Sequence, residues 1–238
     1  MTRLDEQSAA LLDLTLTPEQ EAQFDRYARE LALWNEHVNL TAITDPDAVR
    51  VRHFLDSLTV IKAVPAALAP ATRVIDVGTG AGFPGLPLRI VCPHIRLTLL
   101  EATGKKVAFL QHVIDLLKLE DVATVNARAE DAGHDPALRA AFDVVLARAV
   151  ARLPSLLEYL LPLAKVGGVC VALKGHTAQA EAADSSRALA LLGGRIKGIE
   201  TFHLPGIDEP HHLIVVEKIA HTPRDYPRKP GIPTRQPL

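Results

Sequence analysis

The sequence has few cysteines and no long hydrophobic run. Its 238 residues include two cysteines, Cys92 and Cys170, which lie in apolar surroundings without the spacing of metal ligands. Such thiols are typical of a reduced, cytosolic protein. No segment approaches the roughly 18 apolar residues of a membrane span, and the first residues contain acids instead of the apolar core of a signal peptide. We therefore expect a cytoplasmic protein without a membrane partner.

A strong overall charge, internal repeats and zinc-type histidine spacing are also missing. The net charge is -2, so the molecule as a whole does not resemble a polyanion binder. The charge is uneven, because residues 221–238 carry four cations and one acid, which makes this tail +3 and the remainder -5. The ten histidines show no metal pattern, and no metal is expected. The composition, 48% hydrophobic and 23% charged, is that of an ordinary globular protein.

The most informative stretch is the segment VIDVGTGAGFPG at residues 74–85. Apolar and β-branched residues around Asp76 predict a short buried strand, and glycines at positions 78, 80 and 82 follow it directly. Residues 86–91 then indicate the start of a helix. Glycines in such a turn let a ligand approach the backbone closely, and the helix start directs N–H groups toward it. The pattern predicts a ligand site at the carboxyl ends of the strands of an open α/β sheet.

The glycine pattern fits two cofactors. Gly80, Gly82 and Gly85 match the G-x-G-x-x-G fingerprint of dinucleotide-binding proteins. Asp76 followed by glycines at 78, 80 and 82 matches the first motif of S-adenosylmethionine-dependent methyltransferases. Glu101, 19 residues after Gly82, ends the next predicted strand, where both kinds of cofactor use an acid to bind ribose hydroxyls. The loop and Glu101 alone leave both cofactors open.

The first 65 residues predict a helical extension, although residues 1–16 are weakly patterned. Thr17 and Gln20 suit a capping box with Pro18 at the first helical position. Apolar residues then recur at helical spacing and are assigned to the core, namely Phe24, Tyr27, Leu31, Trp34 and Val38. Asp45 and Pro46 begin a second predicted helix, with apolar residues at positions 49, 54, 58 and 61 on one side.

From Arg73 onward the pattern changes to strands that alternate with helices. Strands are predicted at residues 73–77, 95–100, 122–126, 142–147 and 169–174, and helices at about 85–91, 105–119 and 153–164. This rhythm is typical of a mostly parallel sheet with helices on both faces. A helix at 178–192 precedes strand-like runs at 196–204 and 212–218, whose connection is too short for a parallel crossover. The last two strands should form an antiparallel hairpin, with His211 and His212 in a structural role at its end.

Five parallel strands closed by an antiparallel pair form the layout of a Rossmann-like class I methyltransferase. A dehydrogenase would continue into a sixth parallel strand and a substrate domain, for which little sequence is left. We divide the chain into a helical extension at 1–65, an S-adenosylmethionine-binding domain at 66–220 and a basic, proline-rich tail at 221–238.

Several motifs together resemble one known family. They are the glycine loop with Phe83 and Pro84, NLT at 39–41, RHFLDS at 52–57, ARAVA at 147–151, ALKG at 172–175 and YPRKPGIP at 226–233. From about residue 20 to the C-terminus, the chain is similar to the guanine-N7 methyltransferases of small-subunit ribosomal RNA, called RsmG or GidB. The acid after the second strand is often Asp in that family and is Glu101 here, a change that suits the same ribose contact.

The resemblance implies methyl transfer from S-adenosylmethionine, which leaves as S-adenosylhomocysteine, to N7 of one guanine in the 530-loop region of 16S ribosomal RNA. The partner is expected to be this RNA or a small-subunit particle, and the protein to be a monomer. The glycine loop predicts Asp76, Gly80 and Gly82 as cofactor-binding residues. The resemblance adds Gly78, Phe83, Glu101, Ala102, Thr103, Ala129, Glu130 and Arg148.

The chemistry of N7 defines what the remaining candidates do. N7 carries a lone pair and no proton, so the enzyme must align the reacting atoms, and no general base, metal or covalent nucleophile is expected. Asn39, Arg128, Arg148 and Lys174 are candidates for the RNA side or for the region between cofactor and base. Arg148 suits donation to guanine O6 or to the cofactor. A salt bridge from Arg148 to Asp76 or Glu130 is the equally weighted alternative.

The basic tail suggests an RNA contact. Its candidates are Arg224, Tyr226, Arg228, Lys229 and Arg235, which suit phosphates and, for the tyrosine, stacking on a base or on the protein. The same composition also fits a tail that is exposed to solvent and contacts no RNA. Two other functions also stay open, an NAD-dependent oxidoreductase and a non-catalytic RNA-binding module.

Overall fold

A seven-stranded sheet forms the centre of the protein. The computed structural model describes residues 3–238, except for the side chains at 66 and 67. The strands are β1 (Arg73–Val77), β2 (Arg96–Glu101), β3 (Val122–Asn126), β4 (Phe142–Arg148), β5 (Ala164–Lys174), β6 (Gly194–Phe202) and β7 (His211–Lys218). Their order is β3-β2-β1-β4-β5-β7-β6. Strands β1 to β5 are parallel, whereas β7 is antiparallel to β5 and β6 to β7, which confirms the predicted layout.

Helices precede the sheet and alternate with its strands. The chain before β1 forms α1 (Leu4–Leu12), α2 (Pro18–Val38), α3 (Pro46–Val49), a π-helical segment (Arg50–Leu55), α4 (Asp56–Ala63) and a 3₁₀ turn (Pro65–Leu68). The later helices are α5 (Gly85–Val91), α6 (Gly104–Leu117), α7 (Ala129–Ala132), α8 (Leu153–Leu160), α9 (Ala178–Ala183), α10 (Ser186–Leu192) and α11 (Ile232–Arg235). The predicted capping box of α2 is present, because Thr17 Oγ1 accepts from Gln20 N and Gln20 Oε1 accepts from Thr17 N.

The two faces of the sheet bury two separate clusters. Neighbouring residues of a strand point to opposite faces, so Val74 joins one cluster and Ile75 the other. The first cluster takes in Phe24 of α2 and Leu58 of α4, which places the N-terminal helices against that face. The second cluster contains Leu157 of α8 and is covered by α8 and α10. Of the predicted α2 stripe, Phe24, Tyr27 and Leu31 are buried, while Trp34 and Val38 are half-buried.

The N-terminal helices differ from the prediction at two places. Helix α1 lies in the weakly patterned region, where no helix was predicted. The pattern is weak because the helix buries only Leu4, Ser8 and Leu12. The predicted helix from Pro46 is divided by the π-helical segment, which inserts a wider turn. The five-residue interval between the buried residues at 49 and 54 fits this wider turn better than the 3.6-residue period of an α-helix.

Two later elements also differ in extent. The predicted helix 178–192 breaks into α9 and α10, where Ser185 Oγ donates to the carbonyl oxygen of Glu181 at 2.7 Å. Strand β5 begins at Ala164, so α8 ends earlier than predicted. The register of β5 against β4 shifts between Phe142 and Val144, a bulge that contains the paired glycines at 167 and 168.

No helix within residues 3–238 is long and apolar enough to cross a membrane. Cys92 and Cys170 are buried as thiols, and burial raises the pKa of Cys170 to about 12.

Candidate functional site

The loop between β1 and α5 is held from behind by Asp76. Its Oδ2 accepts hydrogen bonds from Thr79 Oγ1 at 2.6 Å and from Gly85 N at 2.8 Å. Oδ1 is buried and has no partner among the described residues. Burial raises the pKa of Asp76 to about 6, against the opposing effect of the bonds from Thr79 and Gly85. Asp76 therefore shapes the loop and, being fully buried, lies behind the ligand surface.

Two of the loop glycines are required for different reasons. At Gly80, with φ of +60°, an added Cβ would have only the Gly78 carbonyl oxygen within 4 Å, at 4.0 Å, so the space beside it is open. At Gly82, with φ of +99°, a Cβ would come within 2.5 Å of both Tyr27 Oη and a methyl of Leu86. Gly80 thus leaves the backbone open to close approach, whereas the missing side chain of Gly82 leaves room for Tyr27 and Leu86.

A cavity of about 240 Å³, here called cavity B, opens at the carboxyl ends of β1, β2 and β3. It is lined on the strand side by Gly78, Glu101, Ala102, Ala129 and Glu130, all of which were predicted to bind the cofactor. The Glu101 carboxylate accepts from Gly80 N at 3.0 Å and from Thr103 N at 2.8 Å. These bonds fix an acid at the edge of a concave, partly apolar site, where it can accept ribose hydroxyls.

A larger cavity of about 530 Å³, here called cavity A, lies on the other side of the loop. Gly78 lines both cavities, so the two sites meet at the glycine loop. Cavity A contains the predicted residues Gly80, Phe83, Arg148 and Lys174. Its wall also includes Thr41, His53, Asp56, Lys106 and His211.

Arg148 is the centre of a polar network in cavity A. Its Nη1 donates to Asp56 Oδ2 and to the Arg52 carbonyl oxygen, both at 3.0 Å. The guanidinium also lies over the Phe83 ring, 4.9 Å from its centroid. Asp56 Oδ1 contacts His211 Nδ1 at 2.9 Å, so one buried carboxylate joins two elements. The sequence-based alternative of a salt bridge from Arg148 to Asp76 or Glu130 is wrong, because Asp56 is the partner.

His53 completes this network from the π-helical segment. Arg148 Nη2 lies 3.1 Å from His53 Nδ1, and Thr41 Oγ1 lies 2.7 Å from Nε2. Nδ1 also lies 3.2 Å from the Arg52 carbonyl oxygen, so the guanidinium and this carbonyl compete for the same ring nitrogen. Burial, and then the charge of Arg148, lower the pKa of His53 to about 4. The ring is therefore neutral at pH 7 and stacks on Phe83 at 4.6 Å.

Lys174 forms a second internal ion pair on the wall of cavity A. Its Nζ lies 2.9 Å from Glu181 Oε2, and both side chains are more than nine-tenths buried. Burial alone would raise the pKa of Glu181, but hydrogen bonds from Lys174, Thr177 and the Leu153 N–H lower it below its ordinary value. Both predicted cations of cavity A are thus paired with buried carboxylates.

The remaining predicted positioning residues lie elsewhere. Arg128 is exposed and lines cavity B. Asn39 is exposed at the C-terminal end of α2 in a left-handed conformation, with φ of 53°. The loop that leads into cavity A is held by Asn35, whose Oδ1 accepts from Leu40 N at 2.7 Å and from Thr41 N at 2.9 Å. The left-handed conformation at the end of α2 is thus a structural reason for an asparagine at position 39, and the RNA role of Asn39 stays a prediction.

Comparison with known proteins decides the family of this chain. The family model GidB, described as rRNA small subunit methyltransferase G, matches residues 20–212. The chain belongs to this family. A protein named ribosomal RNA small subunit methyltransferase G from Desulfitobacterium hafniense is 47% identical over 95% of this chain and 93% of its own length. One of the same name from Roseiflexus castenholzii is 49% identical over 94% of each chain.

Solved structures confirm the fold of this GidB-family protein. TrmN from Thermus thermophilus matches 71% of this chain and 53% of its own, with a TM-score of 0.52 and 21% identity. TYW2 from M. jannaschii, solved in complex with AdoMet, matches 69% and 77%, with a TM-score of 0.52 and 16% identity. Family membership favours a methyltransferase over the NAD-dependent oxidoreductase and the non-catalytic RNA-binding module.

The candidate RNA-binding residues of the C-terminal tail of the GidB-family chain differ in their surroundings. Arg228 forms a salt bridge with Glu158, whose side chain is fully buried, at 2.7 Å between Nη2 and Oε2. This pairing gives Arg228 a structural role, and its RNA contact stays a prediction. Tyr226 is half-buried and packs against the second cluster, which favours stacking on the protein over stacking on a base. Arg224, Lys229 and Arg235 are exposed, and their RNA role stays a prediction.

Sequence reasoning missed several residues that the structure places in or against the GidB-family site. His53 and Asp56 lie in the RHFLDS motif but received no role, and His211 was assigned to structure alone. Tyr27 was assigned to the core, yet its hydroxyl donates to the Ala81 carbonyl oxygen in the glycine loop. The clue available for His53 and Asp56 was the RHFLDS motif itself, which belongs to the family resemblance. No sequence pattern links them to Arg148, more than 90 residues away.

Proposed function

We propose that the protein transfers a methyl group from S-adenosylmethionine to N7 of a guanine in 16S ribosomal RNA. The observation that carries the proposal is the pair of adjoining cavities that meet at Gly78, one with a ribose-binding acid and one with paired cations. Membership of the family of rRNA small subunit methyltransferase G supports the same activity.

The residues of cavity B and the glycine loop fit the methyl donor. Glu101 is positioned to accept the ribose hydroxyls, and the open space at Gly80 admits a ligand against the backbone. Ala102, Ala129 and Glu130 complete the wall around the adenine side. Asp76 supports the site through the loop, as its two hydrogen bonds indicate. When bound, S-adenosylmethionine supplies a methyl group on a positively charged sulfur.

The residues of cavity A suit a neutral base that becomes cationic. Because N7 has no proton to lose, the walls need only orient the base and exclude other geometries. Arg148 and Lys174 are held by Asp56 and Glu181, so they can donate hydrogen bonds while their charge is largely balanced. This balance limits repulsion as positive charge develops on the guanine. Phe83 and the neutral His53 ring add an apolar, stacked surface beside Arg148.

The finer identity of the substrate is part of the same proposal. The target guanine lies in the 530-loop region, and the substrate is the RNA or a small-subunit particle in the cytoplasm. The exposed cations Arg224, Lys229 and Arg235 provide phosphate contacts, with Arg128 at the rim of cavity B. The protein acts as a monomer.

Single-turnover methyl transfer to small-subunit RNA tests the proposal. The product is identified by reduction and aniline cleavage, which report N7-methylguanine. The rate of the chemical step should be nearly flat from about pH 7 to 9, because no residue takes a proton from the base. A steep rise with pH, or a product that resists cleavage, would contradict transfer to N7. Arg148→Ala should lower the rate without adding a pH dependence.

A further inference from the structure

The C-terminal segment 226–235 forms part of cavity B. Gly231 and Thr234 line this cavity together with Glu101 and Ala102. Gly231 N donates to Glu130 Oε1 at 3.0 Å. The hydroxyl groups of Thr234 and Tyr159 lie 3.0 Å apart, and Tyr159 also lines the cavity. The segment thus contacts two residues on the wall of the same cavity.

A buried ion pair fixes this segment to α8. Glu158 is 0% exposed and accepts from Arg228 at three atoms, the backbone N at 2.7 Å, Nε at 2.9 Å and Nη2 at 2.7 Å. A fully buried carboxylate without this partner would be costly, so the position of Arg228 is strongly specified. On the same helix, Ser155 Oγ donates to the Pro233 carbonyl oxygen at 2.8 Å.

A second anchor lies beyond α7. Arg139 donates to the carbonyl oxygens of Thr222 at 2.9 Å and Tyr226 at 2.8 Å. Pro227 packs so closely on Gly133 that an added Cβ there would lie 2.5 Å from the proline ring. Gly133 has an ordinary backbone conformation, so its lack of a side chain serves this contact alone.

We propose that the C-terminal segment 226–235 is a ligand-binding wall that holds the adenosine half of the methyl donor. Its inner side supplies the backbone at Gly231 and the hydroxyl of Thr234 to the cavity that Glu101 also lines. The apolar side chains of Leu100 and Val150 complete a slot suited to the flat face of a purine. The inference rests on the proposed function for the identity of the donor.

Calorimetry with two probes, S-adenosylhomocysteine and 5′-methylthioadenosine, tests the inference on the full-length protein. Arg228→Gln removes the anchor, and Gly133→Ala displaces Pro227 without changing charge. Each variant should bind both probes at least about tenfold more weakly, by the same factor, because the two probes share the adenosine half. The double variant Glu158→Gln/Arg228→Gln, which leaves no buried charge, provides a folded alternative if Arg228→Gln is unstable.

Arg195→Gln is the matched control, because Arg195 forms an exposed pair with Glu217. It should bind both probes as the wild type does. Wild-type affinity in folded Gly133→Ala and in a folded Arg228 variant would overturn the inference, as would a loss confined to S-adenosylhomocysteine. A wild-type protein that binds both probes but methylates no guanine N7 would refute the proposed function and leave this inference standing. Failure of the wild type to bind either probe would refute both.

Discussion

Glycine residues in the loop between β1 and α5 meet different neighbours, and this difference can be measured. Alanine at Gly80 would enter open space on the ligand side, whereas alanine at Gly82 would meet Tyr27 and Leu86. Both positions have positive φ, which costs an alanine about 1–2 kcal/mol. Only Gly82 adds an overpacking penalty of about 1–3 kcal/mol in the core.

The first prediction compares these two positions. Gly80→Ala should fold with a loss of about 1–2 kcal/mol in unfolding free energy and lose most of its affinity for S-adenosylmethionine. Gly82→Ala should lose about 2–5 kcal/mol of unfolding free energy through strain and overpacking together. Urea denaturation and calorimetry give the two quantities. Wild-type cofactor affinity in Gly80→Ala would contradict a ligand beside this glycine.

The second prediction concerns the neutral state of His53. Its pKa of about 4 in the folded protein lies below the ordinary value of 6.5, so the unfolded chain binds the proton first as the pH falls. The folded state therefore loses stability as the pH decreases from about 6.5 to 4, by about 3 kcal/mol at most. Arg148 and Asp56 face the ring and act in opposite directions, with Arg148 the larger effect.

Urea denaturation of wild type and His53→Gln across this pH range isolates the effect, since other titrating groups are common to both proteins. The stability advantage of the wild type should be largest near pH 7 and shrink toward pH 4. A constant difference between the two proteins would show that His53 is not held neutral.

The helix α2 and the π-helical segment position the site from outside the sheet. Tyr27 of α2 is fully buried and stacks on Phe83 at 5.5 Å between ring centroids, and its hydroxyl donates to Ala81. Burial raises the pKa of Tyr27 well above its ordinary value, so the hydroxyl remains a donor. One helix of the N-terminal extension thus supports the glycine loop directly.

The third prediction tests this support. Tyr27→Phe keeps the ring and removes the hydroxyl, which leaves the Ala81 carbonyl oxygen without its donor. The unfolding free energy should fall by about 1–3 kcal/mol, the cost of an unsatisfied buried acceptor. Urea denaturation measures it, and calorimetry should show weaker cofactor binding because the loop loses its contact. Unchanged stability would mean that water replaces the hydroxyl at no cost.

Local patterns were sufficient for the strands and the acid at Glu101. Strands β1 and β3 have their predicted bounds, because runs of β-branched residues and the turn residues that end them are signals contained within a few residues. The π-helical segment was missed, although the five-residue interval between the buried residues at 49 and 54 departs from the 3.6-residue period of an α-helix. The contacts of Asp56 with Arg148 and His211 depend on the sheet bringing together residues 92 and 155 positions apart. Composition likewise could not show that the tail packs against α8.

At the scale of the whole molecule, some cations form ion pairs with buried carboxylates, whereas others have exposed side chains. Arg148, Lys174 and Arg228 are paired with buried or nearly buried carboxylates. Arg224 and Lys229 are exposed on the tail, whose Gly231 and Thr234 line cavity B. The net charge of -2 gives the molecule no general attraction for RNA, so local cations must supply the phosphate contacts.

The last prediction distinguishes RNA binding by the exposed cations of the tail from cofactor binding by the tail residues that line cavity B. The double variant Arg224→Ser/Lys229→Ser should bind small-subunit RNA more weakly, with the slope of log K against log salt reduced by about 1.5 units for two lost phosphate contacts. Its affinity for S-adenosylhomocysteine should equal that of the wild type, because neither side chain lines cavity B. The matched control Arg187→Ser/Lys197→Ser removes two exposed cations from α10 and β6 and should leave the slope unchanged. Equal slopes for all three proteins would show that RNA does not contact the tail, and the phosphate contacts would then belong to cations nearer cavity A, such as Lys106.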